Sequence, residues 1–259
     1  MEETLMKTIT IILVLLVSAL TFSSCETNSS STSESSSNSG NGNGTGNSGS
    51  TAQFIISDHY LYTVDKTTLR LFDLSAGTAK FLREIPVGFS IETIFALGNT
   101  LFLGASDGVH IYDITSREAP QFLSTYQHIV SCDPVVADQS FAYCTLSTGR
   151  TRCSRGINSL DIIDINDLHS PFLVQSFQLS NPQGLGLVGT NRLVVCDNGL
   201  KLFDISERSR AKLLNKSTVA NAYDIIPNGN TFTAVVPGGF SNFKIDNDSI
   251  QLVGKLIYK

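Results

Sequence analysis

A short phrase recurs along the chain: two apolar residues, the second often aromatic, then Asp, Ile or Leu, and a small polar residue. It reads LFDLS around Asp73, IYDIT around Asp113, IIDIN around Asp164 and LFDIS around Asp204. A degenerate copy, NFKID, carries Lys244 in the Asp place. Successive copies lie 40, 51, 40 and 40 residues apart. A fixed period of this size marks a repeat architecture, in which each unit is one supersecondary element that buries its apolar surface against its neighbours. The single long step puts an insertion in the third repeat, and such insertions map to loops on one face, often the binding face.

Each repeat reads as four short strands. The first gives AQFIIS, YLYTVD, LRLFDL and KFLREIPV, and the fourth gives GLGLVG, RLVVCD, LKLFDI and KLLNKST. These runs are β-branched and aromatic, are bounded by Asn, Asp and Gly, and nowhere sustain a helical period. Four antiparallel strands repeated radially predict an all-β fold, a β-propeller. The repeats fall near 52–90, 91–130, 131–181, 182–220 and 221–259, hence five four-stranded blades. A helical solenoid is excluded by the strand pattern, and the rungs of a parallel β-helix are shorter than this period. The recurring Asp ends the third strand of its repeat, where a short polar side chain fixes a turn by bonding nearby backbone. Pro120 and Pro171, each seven residues after its Asp, open the outermost strand, where a missing N–H costs little.

The first 51 residues follow other rules. Residues 9–20 are an almost unbroken apolar stretch, the length of a signal-peptide core and too short to span a bilayer. Lys7 precedes it, and Phe22-Ser23-Ser24 leads into Cys25. This resembles a bacterial lipoprotein signal covering residues 1–24, with Cys25 lipidated; Met6-Lys7 makes a more ordinary beginning than Met1-Glu2-Glu3. Residues 25–51 are nearly all Ser, Asn, Thr and Gly and have nothing to bury, so they read as a disordered tether before a domain at 52–259. Removing Lys7, Glu2 and Glu3 takes the formal charge from −5 to −4. With no basic run and no aromatic-basic interleaving, nucleic acid is not an expected partner. The expected location is the bacterial envelope, on the outer membrane through lipid, in a compartment that permits disulfides.

Several segments carry a family resemblance: Cys132-Asp133-Pro134-Val135-Val136, Ala142-Tyr143-Cys144-Thr145-Leu146, Cys153, Asn158-Ser159-Leu160 and Asn181-Pro182-Gln183-Gly184-Leu185-Gly186. Together with the repeated phrase they resemble the LVIVD-repeat lipoproteins of bacterial surfaces. The resemblance spans 52–259 and implies a propeller-like fold and an envelope location; it carries over no reaction. Gln183 stands where a His would be expected, and Cys144 where a Val would be.

The insertion of the third repeat reads Ser147-Thr148-Gly149-Arg150-Thr151-Arg152-Cys153-Ser154-Arg155-Gly156. Three arginines in six residues on an acidic chain suit carboxylates and sulfates. Arg150, Arg152 and Arg155, with Asp133 and Gln183 on the same face, are therefore the expected binding residues, for an anionic polysaccharide or an envelope protein. Cys132 and Cys153 are a candidate disulfide, Cys144–Cys153 is the rival pairing, and Cys196 is left unassigned. The function expected is a binding platform without catalytic residues or cofactor. One alternative is a metal-dependent hydrolase or lactonase with Glu92 and Asp133 on adjacent blades at the channel mouth, Asp224 nearby and Ca²⁺ as the metal. Another is a structural scaffold for an envelope complex. His59, His110, His128 and His169 show no ligand spacing. The string Gly104-Ala105-Ser106-Asp107-Gly108 matches a nucleophile elbow but lies between two strands.

Overall fold

The computed structural model describes residues 49–88, 90–128, 134–148, 157–217 and 221–258. They form five separate four-stranded antiparallel sheets. Blade 1 comprises β1 (Phe54–Ser57), β2 (Tyr60–Val64), β3 (Thr68–Asp73) and β4 (Lys80–Pro86). Blade 2 comprises β5 (Ile91–Leu97), β6 (Thr100–Ala105), β7 (Gly108–Asp113) and β8 (Gln121–Gln127). Blade 3 holds β9 (Val135–Ala137), β10 (Phe141–Leu146), β11 (Ser159–Asp164) and β12 (Phe172–Gln178). Blade 4 holds β13 (Pro182–Val188), β14 (Arg192–Asp197), β15 (Leu200–Asp204) and β16 (Lys212–Ser217). Blade 5 holds β17 (Asp224–Asn228), β18 (Thr231–Val236), β19 (Gly239–Asp246) and β20 (Ser249–Ile257). The strands pair in chain order within each sheet, so every blade is complete within its own repeat. The all-β, five-bladed expectation holds.

Alternation along the strands gives each of blades 2, 3 and 4 two apolar faces, one toward each neighbour, and blades 1 and 5 one such face. Ile55, Tyr62, Leu69 and Leu71 of blade 1 pack on Ile94, Ala96, Leu101 and Leu103 of blade 2. Phe102, Val109 and Ile111 meet Val135, Ala137 and Ala142 of blade 3. Tyr143, Leu160 and Ile162 meet Leu185, Leu193 and Phe203 of blade 4. Val194, Leu200 and Leu202 meet Ile225, Phe232 and Phe243 of blade 5. Fully burying one such side chain stabilises by about 1.5–3 kcal/mol, so these four cores are the main favourable contribution to the fold. Among the described residues no fifth core joins blade 5 to blade 1.

The repeated phrase does two jobs in each blade. The carboxylate of Asp73, Asp113, Asp164 or Asp204 accepts the N–H two residues on, from Ser75 at 2.8 Å, Thr115 at 2.7 Å, Asn166 at 2.9 Å and Ser206 at 3.0 Å. The apolar residue after it donates its N–H into the first hairpin of the same blade: Leu74 to His59, Ile114 to Asn99, Ile165 to Ser140 and Ile205 to Asn191. Ile245 makes the same bond to Asn230 although Lys244 has replaced the Asp. The phrase is thus a turn and a cross-sheet clasp. In blades 2 and 4 an arginine four residues after the Asp then reaches the preceding blade. Arg117 Nε donates to Asp58 at 2.8 Å, and Arg208 Nε to Asp138 at 2.6 Å.

These bonds shift the carboxylates. The Thr115 hydroxyl and amide hold Asp113 below the usual aspartate range, and the Ser75 and Ser206 amides do the same for Asp73 and Asp204. Asp65, bonded first by the Thr68 hydroxyl and then by the Thr67 amide and Arg70, falls to about 2. A lowered folded-state value means stability that is complete above the ordinary aspartate value and lost as pH falls through the folded one. The urea midpoint should therefore drop between about pH 4 and pH 2. A midpoint that holds to pH 2 would contradict the turn role.

Candidate functional site

The turns between first and second strands and between third and fourth strands lie on one face of the ring. The loops between second and third strands, and the links between blades, lie on the other. The insertion of the third repeat emerges on this second face, between β10 and β11. Its base is pinned by Asn158, whose side-chain oxygen accepts the Thr148 N–H at 2.8 Å and hydroxyl at 3.0 Å. The Asn158 Nδ2 donates to the Ser180 carbonyl at 2.7 Å, and its own carbonyl accepts from Leu179 N at 2.9 Å and Gln178 Nε2 at 3.1 Å. One amide side chain therefore ties both ends of the loop to the link between blades 3 and 4.

That link is held in turn by Asp197 at the end of β14. Its carboxylate, with no exposed surface, accepts the N–H of Ser180 at 3.0 Å and of Asn181 at 2.5 Å, and is paired with Lys201. A buried charge in this position is tolerated because all its partners are present. Gln183 lies in the bulge that opens β13, between Pro182 and Leu185. Its carbonyl accepts the Thr145 hydroxyl of blade 3 at 2.5 Å, and its side-chain amide faces Asn181 Oδ1 at 3.4 Å. The loop base, Asn181 and Gln183 are thus brought together at the blade 3–4 boundary. Arg150, Arg152, Arg155, Asp133, Cys132 and Cys153 lie outside the described residues, as does Cys25, and both candidate disulfides go with them. Cys144 and Cys196 are buried in different inter-blade cores, and among the described residues there is no disulfide. Burial pushes the Cys196 thiol up, out of the reactive range.

At the hub of the ring the structure shows something the sequence did not announce. The described residues begin at Gly49, and Ser50 is buried. Thr51 Oγ1 donates to Asp224 at 2.6 Å, Ser50 Oγ donates to it at 3.1 Å, and the Thr51 N–H reaches it at 3.4 Å. Ser50 Oγ also accepts Leu185 N of blade 4 at 2.8 Å, while the Ala52 carbonyl accepts Ile94 N of blade 2. This strap crosses the loop face of the hub and links blades 1, 2, 4 and 5. It needs glycine at two places: a Cβ on Gly49 or Gly184 would stand 2.0 and 2.4 Å from the Asp224 carboxylate. Burial raises the Asp224 carboxyl, and the hydroxyls of Thr51 and Ser50 oppose that shift.

Asp224 is therefore committed to the strap and the Ile225 N–H, rather than presented to a ligand beside Glu92. Glu92 itself is the bulged residue of β5 and is half-buried. The described residues hold no group of three His, Cys, Asp or Glu arranged for a metal. His110 is held between Asp107 at 2.9 Å and the Thr125 hydroxyl at 3.1 Å, within one blade. The Gly104–Gly108 string is the β6–β7 turn, as read. Two clefts open on the opposite, turn face. The one between blades 4 and 5, about 440 Å³, is lined by Asn191, Arg192, Asn230 and Asp248. The one between blades 3 and 4, about 490 Å³, is lined by Asp138, Ser140 and Arg208. In both, the arginine is already paired with aspartate across the blade boundary.

The repeat phrase and this architecture agree with what comparison finds. The LVIVD repeat model matches residues 156–178, from the end of the insertion through β12. That segment is similar to one LVIVD repeat. A comparison with curated proteins finds no significant match. Among solved structures, the chain is similar to a candidate 6-phosphogluconolactonase from Bacteroides fragilis, at TM-score 0.63 and 11% identity, over 80% of this chain and 70% of that one. A functionally unknown protein from Desulfotomaculum acetoxidans matches at TM-score 0.65 and 12% identity, over 83% and 69%. Hsv2 from Kluyveromyces lactis matches at TM-score 0.51 and 10% identity, over 77% and 60%. At these identities the likeness is one of fold.

Replacing Asp224 by alanine leaves two hydroxyls and the Ile225 N–H without their acceptor at the hub. The variant should lose about 1–3 kcal/mol, a fall of several degrees in melting temperature. A melting temperature equal to the parent's would remove the strap from the account of stability.

Proposed function

We propose that this propeller is an envelope-anchored lipoprotein that binds an anionic polysaccharide through the insertion of its third repeat. The observation that carries the reading is the rooting of that insertion. A loop with three arginines in six residues springs from a base tied by Asn158, on a link tied by Asp197, beside two blades joined by an apolar core. Rooting of this kind lowers the ordering cost of binding, and guanidinium forks match carboxylate and sulfate geometry. The net negative charge of the rest of the chain makes the loop a local attractor rather than part of a general basic surface. Cys25, after its apolar leader, supplies the membrane attachment, and the Ser, Asn and Gly tether lets the platform sample orientations near the membrane.

The triple variant R150A/R152A/R155A should lose at least about tenfold in affinity for a sulfated or uronic-acid polymer, at low salt, with its melting temperature unchanged. The second reading is a Ca²⁺-dependent hydrolase at the channel mouth. It is motivated by the placing of Glu92 at a strand-opening bulge. Unchanged polymer binding in the triple variant, together with a Ca²⁺-induced rise in melting temperature abolished in Asp133→Ala, would transfer the assignment to that site. The anchoring is tested separately: Cys25→Ser should move the chain from the membrane fraction to the soluble one, and a variant that stays with the membrane would refute lipid attachment there.

A further inference from the structure

A strip of uncharged polar groups runs across the loop face from the root of the insertion to blade 5. It begins where Asn158 Nδ2 donates to the Ser180 carbonyl at 2.7 Å. It passes to Asn181 and Gln183, whose side-chain amides meet at 3.4 Å. It ends where Gly184 N donates to the Tyr223 carbonyl at 3.0 Å. The carboxylates that border the strip are already engaged. Asp197 is held by Ser180, Asn181 and Lys201, and Asp224, 7% exposed, by the strap. Along the strip the accessible side chains are therefore amides and one ring: Asn181 is exposed, Gln183 half-buried and Tyr223 43% exposed. Among the described residues, Tyr223 is the large exposed apolar side chain beside the hub. The others lie on β1, along or just past the outermost strands, or, like Ile157, at the root of the insertion. The Tyr223 backbone is held on both sides, since its own N–H donates to the Val235 carbonyl at 2.9 Å. Its ring thus stands on a fixed base, with two side-chain torsions to order on contact.

We infer that this strip is a sugar-ring subsite, with Tyr223 as the stacking platform and Asn181 and Gln183 as partners for hydroxyls. The inference rests on the reading of the insertion as the holder of an anionic polysaccharide. A carboxamide offers a donor and an acceptor side by side, which matches the donor and acceptor of a sugar hydroxyl. The face of an aromatic ring is electronegative and receives the C–H groups of a pyranose face. Neither feature serves a bare polyanion, for which positive charge is enough. The ligand is thereby narrowed from polyanions in general to a chain of sugar rings bearing anionic groups. Its charges belong to the arginines, and its rings to the strip that crosses from blade 3 to blade 5.

The chain contains no tryptophan, so Tyr223→Trp puts a single indole reporter at the platform of the full chain. Two polymers separate the contributions: alginate, which has sugar rings and carboxylates, and polyphosphate, which has charge without rings. At low salt, alginate should change the emission of the Tyr223→Trp chain, and polyphosphate should not. Tyr223→Ala should weaken alginate binding by at least about fivefold, with polyphosphate binding and melting temperature unchanged. Equal alginate affinity in Tyr223→Ala and the parent would overturn the inference and leave the arginine reading standing. Full alginate binding in R150A/R152A/R155A, with the indole response intact when Tyr223→Trp is added, would sink the arginine reading and keep the ring subsite. Alginate binding to none of these chains would overturn both.

Discussion

A four-stranded sheet with two apolar faces is stable only when something lies against both. That constraint governs this molecule from its sequence upward. It forces alternation with apolar residues on both sides of blades 2, 3 and 4, which is why the chain reads as closely spaced hydrophobic runs. It makes each blade depend on its neighbours, with Leu69 and Leu71 buried only because blade 2 is there, and Leu200 and Leu202 only because blade 5 is there. Polar groups are correspondingly pushed to the two ends of the strands, where the Asp turns, the arginine bridges and the loops are found.

Most of this architecture was legible. The four-strand readings of the first and fourth repeats match the observed strands to within a residue or two, because β-branched runs broken by Asn, Asp and Gly leave little room for other choices. The Asp of the phrase was readable as a turn residue from its local chemistry alone. Its second role was not, since the Leu74, Ile114, Ile165 and Ile205 bonds reach across the sheet to the first hairpin, some 14 or 15 residues back, or 25 in the blade that carries the insertion. Local sequence carries no record of such a partner.

The hub was the least legible part. Gly49, Ser50 and Thr51 look like the end of a featureless Ser, Asn and Gly stretch, and only the three-dimensional proximity of Asp224, 173 residues away, gives them a role. The same holds for the candidate site. The arginines stood out by composition, but Asn158 and Asp197, which hold the loop and the inter-blade link, are single polar residues of ordinary type. A cue existed for Asp197, in that Lys201 follows it across a tight turn, although such spacing is common on surfaces.

The strap brings Ser50 and Thr51 to the loop face, the face on which the ends of the insertion between β10 and β11 are held. Changes at Ser50 or Thr51 would therefore be felt at that same face, through the Leu185 N–H two residues from Gln183.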